Sequence, residues 1–227
     1  MRAGVTAVVA VALGVGLTGC GSDATTGEST TAETDTTSET ASEAPTTSPQ
    51  AAGPALTIDE YIAQNDIERT PVRKGDAGAP AITLPFAEGW EDMGEQTPPE
   101  AYQAMVFTGD PAAAADPPTV VATVSRLTGD VDPAKVLEYA LTDVHNLPGY
   151  KGMDVGQPTD LAGFEGVLLG GFYTKDDAEQ MIAQKSVVIP ADDAIYLLNI
   201  RAEGPQDQQV PLIDATSTID EQATIVP

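Results

Sequence analysis

Beyond about residue 55 the chain alternates apolar and polar positions in short runs broken by turn residues, the pattern of a mixed fold with many small elements. Thr57-Ile58-Asp59-Glu60 is a capping-box sequence. The Thr57 hydroxyl can accept from the amide three residues on, Glu60 can reach back, and Leu56 with Tyr61 makes the matching hydrophobic staple. A short helix is predicted to about residue 64, with Ile58, Tyr61 and Ile62 on one side. Pro71, Gly75, Gly78 and Pro80 then cut the chain into extended pieces and turns. Residues 82–85 and 88–92 read as a strand, a turn and a strand, with the single Trp90 plugging the core at the corner. Residues 101–108 and the Val- and Thr-rich 119–127 are further strands. The clearest helix runs from Asp132 to about residue 147. Asp132 caps it and Pro133 occupies its first position. Val136, Leu137, Tyr139, Ala140, Val144 and Leu147 form its apolar stripe, and Pro148-Gly149 stops it.

Three strands at hairpin spacing follow at 164–173, 180–189 and 195–202, turned by Lys175-Asp176-Asp177 and Ala191-Asp192-Asp193. The first is apolar on both faces, which predicts a central position. In the third, Tyr196, Leu198 and Ile200 alternate with Leu197, Asn199 and Arg201, one face buried and one partly wet. A last helix is expected from 206 to about 220, with Val210, Ile213, Ala215 and Ile219 apolar and Pro211 imposing a kink or a late start. The sum is an α+β fold, a central antiparallel sheet covered by helices.

The N-terminus has another character. Residues 1–19 carry one charge, Arg2, ahead of an apolar run of about 15 residues, short of the roughly 20 that a helix needs to cross a bilayer. The tetrad Leu17-Thr18-Gly19-Cys20 resembles a bacterial lipobox, in which the Cys thiol is diacylated and the leader cut so that Cys20 becomes the first residue. Two acyl chains anchor stably where one is marginal. The expected organisation is a signal peptide over 1–19, a lipidated Cys and tether over 20–55, and a globular domain over 56–227. Residues 23–54 contain 14 Ser and Thr in 32 residues, six acids, and no Lys, Arg or aromatic. That is too little apolar surface to offset the entropy of ordering, so a disordered tether is expected, spanning roughly 33 Å and reaching about 120 Å at full stretch. Its Thr-rich tracts with Pro45 and Pro49 also resemble O-glycosylated stalks, with plain spacer as the equal alternative. The address implied is the extracytoplasmic face of the cell membrane, or the envelope beyond it.

Charge narrows the partners. The chain has 35 acids against 10 Lys and Arg; residues 56–227 hold 29 acids and 9 bases, a net of −20. Nucleic acid is excluded as a partner, since phosphate binding works by releasing counterions to Lys and Arg. One His and one Cys cannot assemble a Cys/His metal cluster or a disulfide framework, and leave no redundancy for a nucleophilic triad.

The remaining chemical candidates are few. His145 is read as a surface residue at a helix end, near the negative pole of the dipole. Asp130-Val131-Asp132 has metal-like spacing, but Pro133 and the lack of a following Gly and distal Glu break a calcium loop. Glu91-Asp92, Asp176-Asp177 and Asp192-Asp193 fall at turns, where acids bond locally. Gly170-Gly171 inside a strand marks a bulge, the close approach of a ligand or another backbone, or, the preferred reading, room for a helix packed on the sheet. There is no Walker loop, dinucleotide fingerprint or Gly-x-Ser-x-Gly elbow, and no cofactor or metal is expected.

Longer motifs carry a resemblance. The lipobox, the opening Thr57 to Asn65, Leu84-Pro85 with Gly89-Trp90, the run Leu127 to Lys135, Asn146-Leu147-Pro148-Gly149, Ala183 to Pro190, Asp214-Ala215-Thr216-Ser217 and Ile219 to Gln222 together resemble the LpqN/LpqT family of actinobacterial lipoproteins, over essentially all of residues 56–227. The resemblance implies an α/β/α sandwich with a central antiparallel sheet, similar to the Mog1/PsbP type. It also implies an envelope lipoprotein of mycolate-bearing bacteria without known catalytic activity. Its partners would be proteins of mycolic-lipid export or biosynthesis and, in pathogens, host proteins. Only the acylated Cys carries over, onto Cys20. A non-enzymatic, lipid-anchored accessory module is therefore expected. The alternative is a lipid or small-ligand carrier with a pocket between sheet and helices, and a third, weaker reading is an enzyme of acidic-residue chemistry using Asp176 and Asp177.

Overall fold

The computed structural model describes residues 56–227; the leader, the lipobox residues Leu17, Thr18, Gly19 and Cys20, and the tether lie outside the described residues. The first helix, α1 (Ile58–Gln64), starts as the capping box requires. The Thr57 hydroxyl accepts from the Glu60 amide at 3.2 Å and Glu60 accepts from the Thr57 amide at 2.8 Å, with Ile58, Tyr61 and Ile62 buried. Strands β1 (Glu68–Val72), β2 (Ala81–Thr83), β3 (Trp90–Asp92), β4 (Gln103–Phe107) and β5 (Thr119–Thr128) follow. Helices α2 (Pro133–Ala140) and α3 (Thr142–His145) lead to β6 (Lys151–Gly152), β7 (Gln157–Leu161) and the long meander β8 (Phe164–Lys175), β9 (Ala178–Pro190) and β10 (Ile195–Pro205). Helix α4 (Gln209–Gln222) and β11 (Thr224–Val226) close the chain.

The main sheet is antiparallel throughout, in the order β3-β4-β5-β10-β9-β8-β6. Its flanks are tiled by short strands: β1 and β4 pair with opposite halves of β5, and β6 and β7 with opposite halves of β8. The centre is therefore β10, and the expectation that the strand at 164–173 is central is corrected. Strand β8 is apolar on both faces because both are partly covered, which a strand next to the edge also requires. Leu169 and Tyr173 lie under α3, while Leu168 and Phe172 are half-buried on the other side.

Alternation in β10 sorts the layers. Tyr196, Leu198, Ile200 and Ala202 meet Leu212, Ala215 and Ile219 of α4, together with Ile82 and Ile225 of a separate β2–β11 ribbon. On the opposite face Leu197, with Leu127 and Val188, meets Ile58, Val136 and Ala140 of α1 and α2. Helices on both faces of one antiparallel sheet make the expected α+β sandwich.

Two helices depart from expectation for identifiable reasons. The single helix expected over 132–147 starts as predicted, with Asp132 accepting from the Ala134 amide at 2.9 Å, but breaks at Leu141. The buried Gln184 side chain donates to the Ala140 carbonyl at 2.7 Å, the acceptor an unbroken helix would offer Val144, and Val144 turns to Leu141 instead. In α4 the late start is found: a 3-10 turn at Gln206–Gln208 precedes it and Pro211 sits in the first turn, where no intrahelical donor is needed. Its buried stripe is Leu212, Ala215 and Ile219, whereas Val210 and Ile213 face solvent. Trp90 is buried against Phe107 at 5.7 Å between ring centres, as expected of a plug.

The β8–β9 turn holds Asp176 and Asp177 at φ of +50° and +62°, the left-handed pair of a two-residue hairpin loop, where each non-glycine residue is strained. Asp176→Asn with Asp177→Gly is expected to raise stability by about 1 kcal/mol, read as a higher urea midpoint at unchanged slope.

Candidate binding grooves

The helices leave part of their face of the sheet open. Between α1, the end of α2 and the loop at Pro98 lies a polar groove of about 540 Å³ whose floor is Thr119, Val121 and Thr123 of β5, Asn199 and Arg201 of β10 and Gln184 of β9. Strand pairing places Thr123 opposite Asn199 and Val121 opposite Arg201, so these side chains point to one face as a block. Gln184 and Ser186 are buried, and the Ser186 hydroxyl donates to the side-chain Oδ1 of Asn199 at 2.7 Å, which fixes the floor before any ligand arrives.

Charges ring this floor in pairs. Arg69 meets Asp59 at 2.6 Å and donates to Ser125 at 3.0 Å, and Arg201 meets Glu203 at 2.9 Å. Asp143, in the first turn of α3, faces the groove. Partial burial, then the neighbouring Asp59 charge, pushes its carboxyl above the ordinary range, opposed by Arg201 and Arg69. Such a groove can bind by hydrogen bonding. Its two arginines are already engaged with carboxylates, while Asp143 and Glu100 line it outside those pairs.

On the same face, the outer side of α2 and α3 borders a second, mainly apolar groove of about 550 Å³, lined among others by Leu137, Leu141, Val155 and Val167. The opposite face holds a smaller hollow of about 110 Å³ beside α4, where Lys185, 8% exposed, meets Asp220 at 2.5 Å.

The residues singled out in the sequence mostly stay apart. His145 ends α3 as expected but is half-buried rather than on the surface: its Nε2 donates to the Met153 carbonyl at 3.2 Å and its ring meets Tyr150 edge-on at 5.5 Å. It lines the apolar groove while Asp143 lines the polar one. Asp132 caps α2, Asp92 accepts from the Gly94 amide at 2.7 Å, and Asp193 pairs with Arg126 at 2.8 Å. Among the described residues no three His, Cys, Asp or Glu side chains are grouped to hold a metal ion.

Gly170-Gly171 makes room for a backbone, not for a helix, which corrects the preferred reading. A Cβ on Gly171 would lie 2.6 Å from the Lys151 carbonyl and 2.8 Å from Gly152 of the paired strand β6, whereas one on Gly170 would make ordinary contacts of 3.6 Å or more. Arg69 and Gln184 were not singled out from sequence, and Asn199 only as part of the wet face of its strand. Their signal was present as polar residues interrupting strands that are otherwise apolar.

Comparison with known proteins agrees on one family. The family described as probable lipoprotein LpqN matches over residues 54–226. Lipoprotein LpqN of Mycobacterium tuberculosis (strain ATCC 25618 / H37Rv) is 46% identical over 178 residues, covering 78% of this chain and 77% of that protein. The crystal structure of LpqN, described as involved in cell envelope biogenesis of Mycobacterium tuberculosis, superposes with a TM-score of 0.73 at 44% identity, covering 77% of this chain and all of the other.

Two outcomes are expected. Gly171→Ala should cost about 2 kcal/mol or more in urea unfolding and loosen residues 150–152 in hydrogen exchange, while Gly170→Ala stays close to the parent. For Asp143, a folded pKa above the unfolded one means that the folded state holds the proton more tightly, so its contribution to stability falls as pH climbs through that window. Asp143→Asn should therefore melt slightly higher than the parent at neutral pH, and the gain should vanish below about pH 4, where both side chains are uncharged.

Proposed function

Because the chain belongs to the LpqN lipoprotein family, we propose that it is a lipid-anchored accessory protein of cell-envelope biogenesis that binds partners rather than catalysing a reaction. The observation that carries this reading is the polar groove on the open sheet face. Arg69 and Arg201 are each engaged with a carboxylate and Gln184 with a backbone carbonyl, an arrangement suited to recognition. The relative of known structure is described as involved in cell envelope biogenesis, which supports the same setting.

The finer parts of the proposal come from the sequence. Cys20 carries the diacylglyceryl group, the leader up to Gly19 is removed, and residues 21–55 tether the domain at the extracytoplasmic face of the membrane. Its partners are envelope proteins of mycolic-lipid export or biosynthesis.

A second reading, carriage of a small ligand, is favoured by the size of the polar groove and by its lying between sheet and helices. Native mass spectrometry of the gently purified chain separates the two: a retained non-protein mass supports carriage, and an empty chain counts against it.

For the leading reading, Cys20→Ala should move the protein from the membrane fraction to the soluble fraction and abolish crosslinks to membrane-embedded envelope proteins. Unchanged membrane partition would reject the anchor. Proximity labelling by the intact chain that recovers no lipid-export or mycolyl-transfer protein would reject the accessory role.

A further inference from the structure

We propose that the apolar groove beside α2 and α3 is the docking site for a partner polypeptide segment, an amphipathic helix whose apolar side chains are flanked by lysine or arginine. This rests on the reading of the domain as a binding module and adds the face and the chemistry of the partner.

The groove is built and open. One wall is Leu137 with Leu141 at the α2–α3 break, and the floor is Val167 of β8. The facing wall carries Val155, 77% exposed and the most exposed large apolar side chain among the described residues. The loop that carries Val155 is tied down at Met153. The Met153 amide donates to the Gly170 carbonyl at 3.2 Å, and the Met153 carbonyl accepts from His145 at 3.2 Å and Tyr150 at 3.4 Å. Gly156 lets this loop close on the helix break, since a Cβ there would lie 2.3 Å from Leu141 Cδ1. An exposed side chain on a pinned loop, over an apolar floor, is surface prepared for a partner.

A second hollow of about 350 Å³ adjoins it at the start of α2, lined by Pro133, Val188 and Ile195. The two share the floor of β8, because Glu165 in the second and Val167 in the first are two residues apart on one face. The α2 wall runs about 10 Å from Ala134 to Leu141, some two turns of helix, and α3 extends it past the break to His145. That length suits helix-in-groove recognition.

Charge selects the occupant. Glu138, Asp154 and Glu165 line the two hollows, and no Lys or Arg does. Glu138 is engaged by Lys135 at 2.7 Å, but Asp154 and Glu165 are in no ion pair among the described residues. The domain's net charge of −20 adds a long-range field of the same sign. A bare acyl chain would fill the apolar floor and leave these carboxylates unanswered, and an anionic headgroup would be repelled. A peptide with apolar residues on one face and lysine or arginine beside them meets both features.

The test uses the full chain bearing Cys20→Ala in solution. Its probes are a synthetic helix with leucine on one face and lysine on the other, the same helix with glutamate for lysine, and a dodecyl maltoside monomer. Hydrogen exchange should show the lysine helix protecting residues 134–145 and 154–167, with no binding of the glutamate helix. Asp154→Lys with Glu165→Lys, and separately Val155→Asp, should each weaken binding about tenfold or more, and all three positions are exposed, so the fold is left intact. The proposal is overturned if the footprint falls elsewhere, if the variants bind as the parent does, or if the maltoside fills the groove and the helix does not. In those cases, envelope crosslinks through another face would leave the accessory reading standing without this groove.

Discussion

Strand β9 must bury both of its faces, and it carries polar side chains into that burial. From Ile182 to Ile189 every residue except Ala183 is buried, and four polar residues, Gln180, Gln184, Lys185 and Ser186, are among the least exposed of their kind in the domain. A buried donor without an acceptor costs several times what a satisfied one contributes, so each of these has to find a partner on another element. Gln180 reaches Asp116 at 3.1 Å in the loop before β5, and Gln184 reaches the end of α2. Lys185 reaches Asp220 near the end of α4, and Ser186 reaches Asn199 on β10. One strand thereby ties together a loop, the central strand and a helix from each covering layer.

The grooves follow from that constraint. Gln184 takes the Ala140 carbonyl, which breaks the helix at Leu141. The break turns Asp143 toward the polar groove and His145 toward the apolar one. Helices α1 and α2 cover the sheet where Leu127, Val188 and Leu197 present apolar side chains, and α3 covers it over Leu169 and Ile182. Between them the face of β5 and β10 is Thr, Asn and Arg, which gains nothing from being covered by an apolar helix stripe and stays open. The acidity of the domain is spread over turns, caps and groove rims, as at Asp132, Asp176, Asp177 and Asp143.

Elements with strong local signals were legible in the sequence. The capping box at Thr57, the Asp132-Pro133 helix start and the three-strand meander appear where their patterns place them, because their stabilising contacts lie within a few residues or in simple alternation. The missed strands β1, β6, β7 and β11 share a reason. Each is short, flanks a longer strand or forms a ribbon, and offers little apolar periodicity. In β1 (Glu-Arg-Thr-Pro-Val) only Val72 is buried, and Pro71 is tolerated because the strand lies at an edge. The stripe of α4 was misjudged at Val210 and Ile213 because hydrophobicity names candidates for burial, while the docking angle on β10 chooses among them. Of the grooves, Asn199 and Arg201 were visible as the wet side of an alternating strand, but nothing local tied them to Arg69 or Asp143.

The sequence by itself determined the class, an α+β domain of the LpqN family, and its lipobox-like tetrad at Leu17 to Cys20 and the Thr-, Ser- and acid-rich stretch after it are what the proposed address rests on. These are properties of composition, of short-range capping and of hydrophobic period, and they need no knowledge of which strands meet. Tertiary structure alone decided that β10 is the centre, that Gly171 yields to the backbone of the paired strand β6, and that a polar and an apolar groove open on one face. Each of these depends on pairings between residues up to more than a hundred positions apart, as when Tyr196 donates to the Gly78 carbonyl, and such pairings are set by the joint burial of many side chains that no local pattern records.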